Sequence, residues 1–434
     1  MTAIATSSFR LSNVNNFIAD LSVSSYYAFI GRPMSWINDN SPDTPYDNYD
    51  SNYLSGWSDI MALKHINSSD VVPGIERYNW VSGTFYAMYD DKISPTNLTV
   101  DGFNNLFNSK FYVLTSDSNV YKCINNNGAI ASTIMPTGIG SSMITTADGY
   151  VWKFMYTVSA PDFQKFATDQ HIGIKYSSTS PATSGKIDVI SITSGGTGYT
   201  SPTVQILGDG TGATATLTVG AGVITAVTIT NGGSGYTRAR CVITGTHTAA
   251  ATLRVIIPPI GGHGADPKSE LGAFYSLVSV QFRYDEFGKF PVANDYRRIG
   301  IIKNPYLYGT TTVATAQQLN ATKSLTLSSG VTGTFVPDEI ITGGSSSKTG
   351  YVVSYDATSR IISYIQTVNE LIGGFTIGET ITGGTSSASG VLATSGYTPP
   401  DVAYGSGSVI YIEHRRPINR AIDQIESLVL AIKF

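Results

Sequence analysis

Hydrophobic and polar positions change period several times along this chain. Near the start, Leu11, Val14, Phe17, Ile18 and Leu21 recur at helical spacing behind Ser12, which predicts a short amphipathic helix capped by Ser12. A second short helix is predicted over 57–64, with Trp57, Ile60, Met61 and Lys64 on one side. The Asp-, Asn-, Pro- and Tyr-rich stretch 38–52 between them reads as a loop. From Phe111 the period shortens to two. Strands are predicted over 112–114, 120–124 and 149–158, the last with Tyr150, Trp152, Phe154 and Tyr156 along one face. After a loop over 261–270, strands resume at 274–284 and 296–302.

Two unlike pairs of repeats interrupt this pattern. Residues 189–200 (VISITSGGTGYT) recur 37 residues later at 226–237 (AVTITNGGSGYT), and residues 333–350 recur 40 residues later at 373–390, sharing Phe, Glu, Ile-Thr-Gly-Gly, Ser-Ser and a final Gly. Each copy is a strand-turn-strand unit whose glycines supply positive φ. A solenoid generally needs three or more copies, so each pair is read as one small β-sandwich or barrel with pseudo-two-fold symmetry. The predicted organisation is a discontinuous body, 1–180, 258–319 and 399–434, carrying inserted modules at 181–257 and 320–398.

At the end of the chain, strand-like runs over 409–413 and 427–434 flank Arg415-Arg416-Pro417. Because proline lacks an N–H, this elbow is predicted to stop the ladder, and Leu428, Leu430, Ile432 and Phe434 to close a core.

Composition agrees with a β chain: 13% charged, 41% hydrophobic, 44 Gly and 26 Tyr in 434 residues, a length that suggests roughly two to four modules. A net charge of -4 with no concentrated basic face argues against nucleic-acid binding. No apolar run approaches the ~18 residues of a membrane span, and residues 1–10 lack the apolar stretch of a signal peptide, so neither membrane insertion nor standard export is expected. Cys123 and Cys241 form neither a disulfide framework nor a metal pair.

Motifs for chemistry are weak. Residues 343–349 look like a phosphate loop, but Ser347 stands where Gly must precede Lys348, and the second copy has Ala388 in place of the lysine, so a hairpin turn is read. The Gly-x-Gly at 208–210 has no helix pattern behind it. Asp39, Asp43, Asp47 and Asp50 do not match a calcium loop, the five histidines are scattered, and no G-x-S-x-G elbow occurs. No catalytic residue, metal or cofactor is therefore assigned. Two features suggest contact surfaces instead: the loop bearing Trp36, Tyr46, Tyr49 and Tyr53, and the basic elbow His414, Arg415, Arg416 and Arg420. The loop either meets a partner or roofs the core. The elbow either pairs with Glu413, Asp423 and Glu426 or reaches an acidic partner.

An ordered set of residues resembles the gene-eight baseplate wedge protein family of T-even-type contractile-tailed bacteriophages. The carrying pieces are Ser8-Phe9-Arg10, Phe29-Ile30-Gly31-Arg32 with Trp36, Val71-Val72-Pro73 leading to Trp80, Val120-Tyr121-Lys122-Cys123, Asp148-Gly149-Tyr150-Val151-Trp152, Ile299 to Ile302 with Asn304-Pro305, and Ile410-Tyr411-Ile412-Glu413 with Arg415, Pro417-Ile418, Ala421 and Asp423-Gln424. The chain departs from the family pattern at His414, where the family has Asn, and at Arg416, where it has Pro. The resemblance covers most of 1–176, 270–308 and 405–434, and neither repeat module. It implies a non-enzymatic virion component, a homodimer contacting the gene-six, gene-seven and gene-ten wedge proteins, assembled in the host cytoplasm into the tail baseplate. Residues and resemblance together predict a mainly β fold of several antiparallel sandwich or barrel, Greek-key-like domains with a small α/β N-terminal part. The alternative function is a tail receptor- or glycan-binding protein, motivated by the Gly-Gly-x-Gly-Tyr repeats and the many tyrosines.

Overall fold

The computed structural model describes residues 6–45, 56–174, 182–283, 295–366, 374–419, 421 and 424–434. In chain order, helix α1 (Ser7–Asp20) precedes β1 (Tyr26–Gly31), β2 (Ile60–His65) and β3 (Val71–Glu76). Next come β4 (Tyr112–Leu114), β5 (Asn119–Asn125), β6 (Met143–Thr145), β7 (Val151–Thr157), helix α2 (Ala160–Phe166) and β8 (His171–Gly173). The first repeat pair builds β9 (Val189–Ser194), β10 (Thr200–Gly208), β11 (Thr211–Gly220), β12 (Val223–Ser234), β13 (Ala239–Thr246) and β14 (Thr252–Ile256). Helix α3 (Pro267–Leu271) leads to β15 (Tyr275–Arg283), β16 (Tyr296–Lys303) and β17 (Gln318–Asn320). The second pair lies within β18 (Lys323–Leu327), β19 (Ile340–Gly343), β20 (Thr349–Asp356), β21 (Ile361–Ile365), β22 (Thr380–Gly383) and β23 (Ser389–Thr398), followed by β24 (Ser408–Ile418) and β25 (Ile425–Lys433).

The fold is mainly β, with antiparallel pairing throughout the named ladders. Two compact units form: Met1–Asn15, Val72–Leu277 and Ala431–Phe434 in one, Asn16–Val71 and Val278–Leu430 in the other. The first repeat pair belongs to the former and the second to the latter.

In the first unit, the sheet β4-β5-β7-β6 has a core on each face. Tyr150 and Trp152 stack at 5.3 Å in one core with Tyr86 and Tyr121. Tyr156, expected on that same face, packs into the other core with Val120 and Tyr112. The reason is a bulge: the ladder shifts register between Val120 and Tyr121, so alternation is interrupted between Phe154 and Tyr156. Elsewhere in this unit β3 pairs with β8, Ile75 opposite Ile172, and the Phe434 N–H donates to the Phe274 carbonyl at 3.0 Å.

The second unit holds the sheet β17-β2-β1-β16-β24. Its middle strands are buried on both faces, which is why they read as unbroken apolar runs, Tyr26–Gly31 and the Ile60-Met61-Ala62-Leu63 start of β2. That run also corrects the helix predicted over 57–64: of it only residues 57 and 58 are helical, and Ile60–His65 is a strand. A short, fully apolar run satisfies either period, and both faces of β2 are covered. Two further corrections follow. Helix α1 starts at Ser7, where Thr6 accepts the Phe9 N–H through its hydroxyl, so Ser12 is interior rather than the cap. The Arg-Arg-Pro elbow does not stop its ladder. β24 runs through Pro417 to Ile418, and the pairing jumps from Arg298↔His414 to Tyr296↔Ile418, so the proline sits in a bulge of an edge strand that needs no N–H there.

Both repeat pairs close on themselves about a local two-fold. In the second, a closed barrel β18-β21-β20-β19-β22-β23, the two Ile-Thr-Gly segments pair with each other, Thr342 opposite Thr382. Glu379 accepts the N–H groups of Thr376, Ser345 and Ser346, and Glu339 accepts those of Val336, Thr385 and Ser386, the same set 40 residues on. The loop that resembles a phosphate cradle is therefore filled by the chain's own carboxylate. In the first pair the exchange is made by backbone: Ile187 N–H donates to Gly232 O and Ile224 N–H to Gly195 O, each at 2.9 Å.

Candidate functional site: an arginine, tryptophan and histidine cluster

Within the second unit, β16 lies between β1 and β24, so its adjacent Arg297 and Arg298 point to opposite faces. Arg297 forks onto Asp39, Nε and Nη2 each 3.0 Å from a carboxylate oxygen, and also donates to the Pro33 carbonyl. Arg298 pairs with Asp59, and its Nε donates to His414 Nε2 at 3.1 Å. Arg32, one residue beyond β1, lies 3.6 Å from Asp59 and places its guanidinium 3.9 Å from the centroid of the Trp36 ring. The His414 ring covers Trp36 at 4.3 Å, and Trp36 Nε1 donates to the Arg415 carbonyl at 2.9 Å.

Three guanidinium groups here face three carboxylates, Asp39, Asp59 and Asp295, the last 3.8 Å from Arg297 Nη2, so the cluster is close to charge balance when His414 is neutral. Burial and the nearby Arg298 charge hold His414 down to about 4, which makes it neutral at pH 7. One tautomer satisfies both of its ring nitrogens: Nδ1–H donates to the Asp43 carbonyl at 2.7 Å, while Nε2 accepts from Arg298. Burial pushes the Asp59 carboxyl up, against the pull of Arg298 and Arg32, and burial lowers Arg32 in turn. Apart from the buried Arg32 Nε, which has no hydrogen-bond partner among the described residues, these groups engage one another and nearby backbone, and the arrangement is a brace tying loop 32–43 to β24.

Of the residues singled out in the sequence, Trp36, Arg415 and Arg416 meet in this cluster, while Tyr46, Tyr49, Tyr53 and Arg420 lie outside the described residues. Trp36 is 8% exposed, a hub beneath the loop rather than a projecting anchor. Arg415 and Arg416 are exposed: Arg415 Nε lies 3.3 Å from Glu413, and Arg416 Nε donates to the Asn40 carbonyl at 3.1 Å. Asp39 and Asp43 are engaged with Arg297 and His414, and Asp47 and Asp50 lie outside the described residues.

A second polar cluster, in the first unit, was not foreseen. Lys122 is fully buried on β5 and pairs with Glu270 of α3, which also accepts the N–H groups of Gly264 at 2.8 Å and Asp266 at 3.1 Å. His263 stacks edge-on against Tyr89 at 4.9 Å, and burial, reinforced by Lys122, holds it well below the usual histidine range. The signal in the sequence was a lysine inside the apolar run Val120 to Ile124. A buried ammonium demands a carboxylate, and sequence spacing does not reveal which one.

Among the described residues, no group of three or more His, Cys, Asp or Glu side chains is placed to hold a metal ion, and no helix is long and apolar enough to cross a membrane. Comparison of the sequence with models of known protein families and with characterised proteins finds no match.

Proposed function

We propose that this chain is a structural subunit of a bacteriophage tail baseplate wedge, linking neighbouring wedge proteins by shape. The observation that carries this reading is spatial. The resemblance-bearing segments Phe29–Arg32, Ile299–Ile302 and Ile410–Glu413 are well separated in the chain, with residues 33–298 and 303–409 between them, but fall on or at the end of the neighbouring strands β1, β16 and β24. Trp36 and Arg415, from two of the same blocks, are joined by a hydrogen bond. A chance set of short matches would have no reason to converge on one sheet. The repeat modules occupy the stretches between blocks, as insertions into such a body do. On this reading the chain acts as a homodimer within the wedge, meets gene-six, gene-seven and gene-ten type proteins, and resides in the virion baseplate. Exposed Arg415 and Arg416, at the edge of this cluster, offer an acidic neighbour a contact.

Antibody against this chain should label the baseplate end of purified tails in electron micrographs, and light scattering should give twice the chain mass at micromolar concentration. Labelling elsewhere, or none, overturns the assignment, and a monomer removes the dimer. The receptor-binding alternative draws on one feature, an exposed hydroxyl face on the β11–β12 ladder that carries Thr214, Thr216, Thr228 and Thr230. Deleting 181–257 separates the two: lost adsorption with intact baseplates favours receptor binding, failed wedge assembly favours the structural role.

A further inference from the structure

At one end of the second-unit barrel lies a small cavity with about 40 Å³ of room for the centres of water-sized molecules. Its wall includes Lys323 at the start of β18, Tyr364 and Gln366 from the end of β21, and Trp57, Val402 and Tyr404 from the body. One water needs roughly 10–15 Å³ on this measure, so the space suits a monatomic ion with a water or two and excludes a sugar or nucleotide.

The polar groups around it are unbalanced. The Lys323 ammonium has one protein partner among the described residues, the Gln366 side-chain oxygen at 2.7 Å, and no carboxylate. That oxygen is held toward the lysine because the Gln366 amide nitrogen donates to the Thr349 carbonyl at 2.8 Å. The Trp57 indole N–H and the Tyr364 hydroxyl are both buried without a protein partner among the described residues. Ammonium and indole N–H can only donate and the phenol O–H can donate as well, and among the described residues no acidic side chain lines the wall. Water could accept from them, and the Ser58 and Tyr404 hydroxyls of the same wall could receive its hydrogens, but water leaves the ammonium without a counter-charge. A partly buried cation without a counter-charge is also costly.

We infer that this cavity is a binding site for a halide-sized anion, chloride in the cell, held by Lys323 with the Trp57 indole and the Tyr364 hydroxyl. Because the wall combines β18 and β21 of the barrel with residues 57 and 402–404 of the body, the ion ties the inserted module to its own unit. It neutralises Lys323, which burial otherwise pushes below its usual range.

Crystals of the full chain grown in sodium bromide should show an anomalous bromine peak within hydrogen-bond reach of Lys323 Nζ. In solution at fixed ionic strength, exchanging gluconate for chloride should raise the thermal midpoint of the wild type by several degrees. Lys323→Met should abolish that rise, and Tyr364→Phe, which keeps the ring, should reduce it. Water without bromine in the cavity overturns the inference. So does a chloride response equal in wild type and Lys323→Met. The bromide experiment uses the unmutated protein, so a misfolded variant does not shelter the idea.

Discussion

The two repeat modules solve the same problem, closing two copies of one hairpin on each other, with different chemistry. The second buries a full set of large side chains, among them Leu325, Phe335, Ile341, Ile362, Tyr364, Ile381 and Leu392, inside a closed barrel. The first has Thr and Ala on alternate positions, three two-stranded ladders and a thinner core of Ile187, Ile190, Ile206, Tyr236 and Val255. In the barrel each copy clasps the other through a carboxylate. In the first module the clasp is a carbonyl lodged where a side chain would be: a Cβ on Gly195 would lie 2.6 Å from Ile224 O, and one on Gly232 would lie 2.6 Å from Ile187 O. The tyrosines complete it reciprocally, Tyr199 accepting from the Ala251 N–H and Tyr236 from the Ala213 N–H. A well-filled core can carry an ionised clasp, while a polar, Thr-rich module relies on backbone geometry. One clasp titrates and the other does not.

The largest expected effect breaks the barrel's clasp. Glu379→Ala leaves the N–H groups of Ser345, Ser346 and Thr376 without their acceptor and should cost about 3–4 kcal/mol. Glu379→Gln, which keeps one acceptor oxygen, should fall between. Hydrogen exchange should accelerate in β19, β20 and β22 and leave β9–β14 unchanged; uniform acceleration would mean the modules are not independent in this respect.

Acid should reproduce that loss without mutation. Burial acts to raise Glu379, but the N–H and hydroxyl donors of Ser346, with those of Thr376 and Ser345, outweigh it and hold the carboxyl at about 2; Glu339 is lowered by the matching set. A depressed folded value means the stability is present above the ordinary value near 4.5 and disappears as pH falls toward 2. The expected loss is about 2–3 kcal/mol, read as barrel amides opening between pH 4.5 and 2.5. Barrel protection that is flat across this window would refute the ionised clasp.

A smaller change tests the backbone clasp. Gly195→Ala forces a methyl against the Ile224 carbonyl and should cost about 1–2 kcal/mol, with a flat pH profile from 4.5 to 8 because no titrating group is involved. The mutation sharpens the comparison if exchange rises at both Gly195 and the partner strand β12 while the barrel is untouched.

How much of this was legible follows the same division. The mainly β class, the periods of 37 and 40 residues and the strand-turn-strand character of each copy are local patterns, and alternation with glycine turns exposes them. The matched glutamates were visible as repeated letters, but their role was not, because each serves the other copy and pairing across a two-fold leaves no trace in spacing. Lys122 with Glu270 and Arg298 with Asp59 were hidden for the same reason: an ion pair 148 or 239 residues apart is set by topology. The mistaken helix over 57–64 and the elbow read as a strand end failed through burial context. Whether both faces of a run are covered, and whether a strand is an edge, are properties of its neighbours.

The smallest effect separates the body from both modules. His414 is held at about 4 by burial and the Arg298 charge, below the unfolded value near 6.5, so the unfolded chain binds the extra proton and stability falls as pH drops from 6.5 to 4. The ring is only partly buried, so the contribution is about 1 kcal/mol after solvent screening. His171 and His263 in the first unit are also held below 6.5, so a global melt would mix all three. Exchange at β24 amides isolates the body's share, and it should lose protection between pH 6.5 and 4.5, before the barrel's carboxylates begin to protonate. His414→Asn removes the titrating ring and should flatten that profile while leaving the barrel's acid loss below 4.5 in place. If β24 in His414→Asn opens with the wild-type pH dependence, the proton is going elsewhere and His414 is not what acid unlocks in the brace.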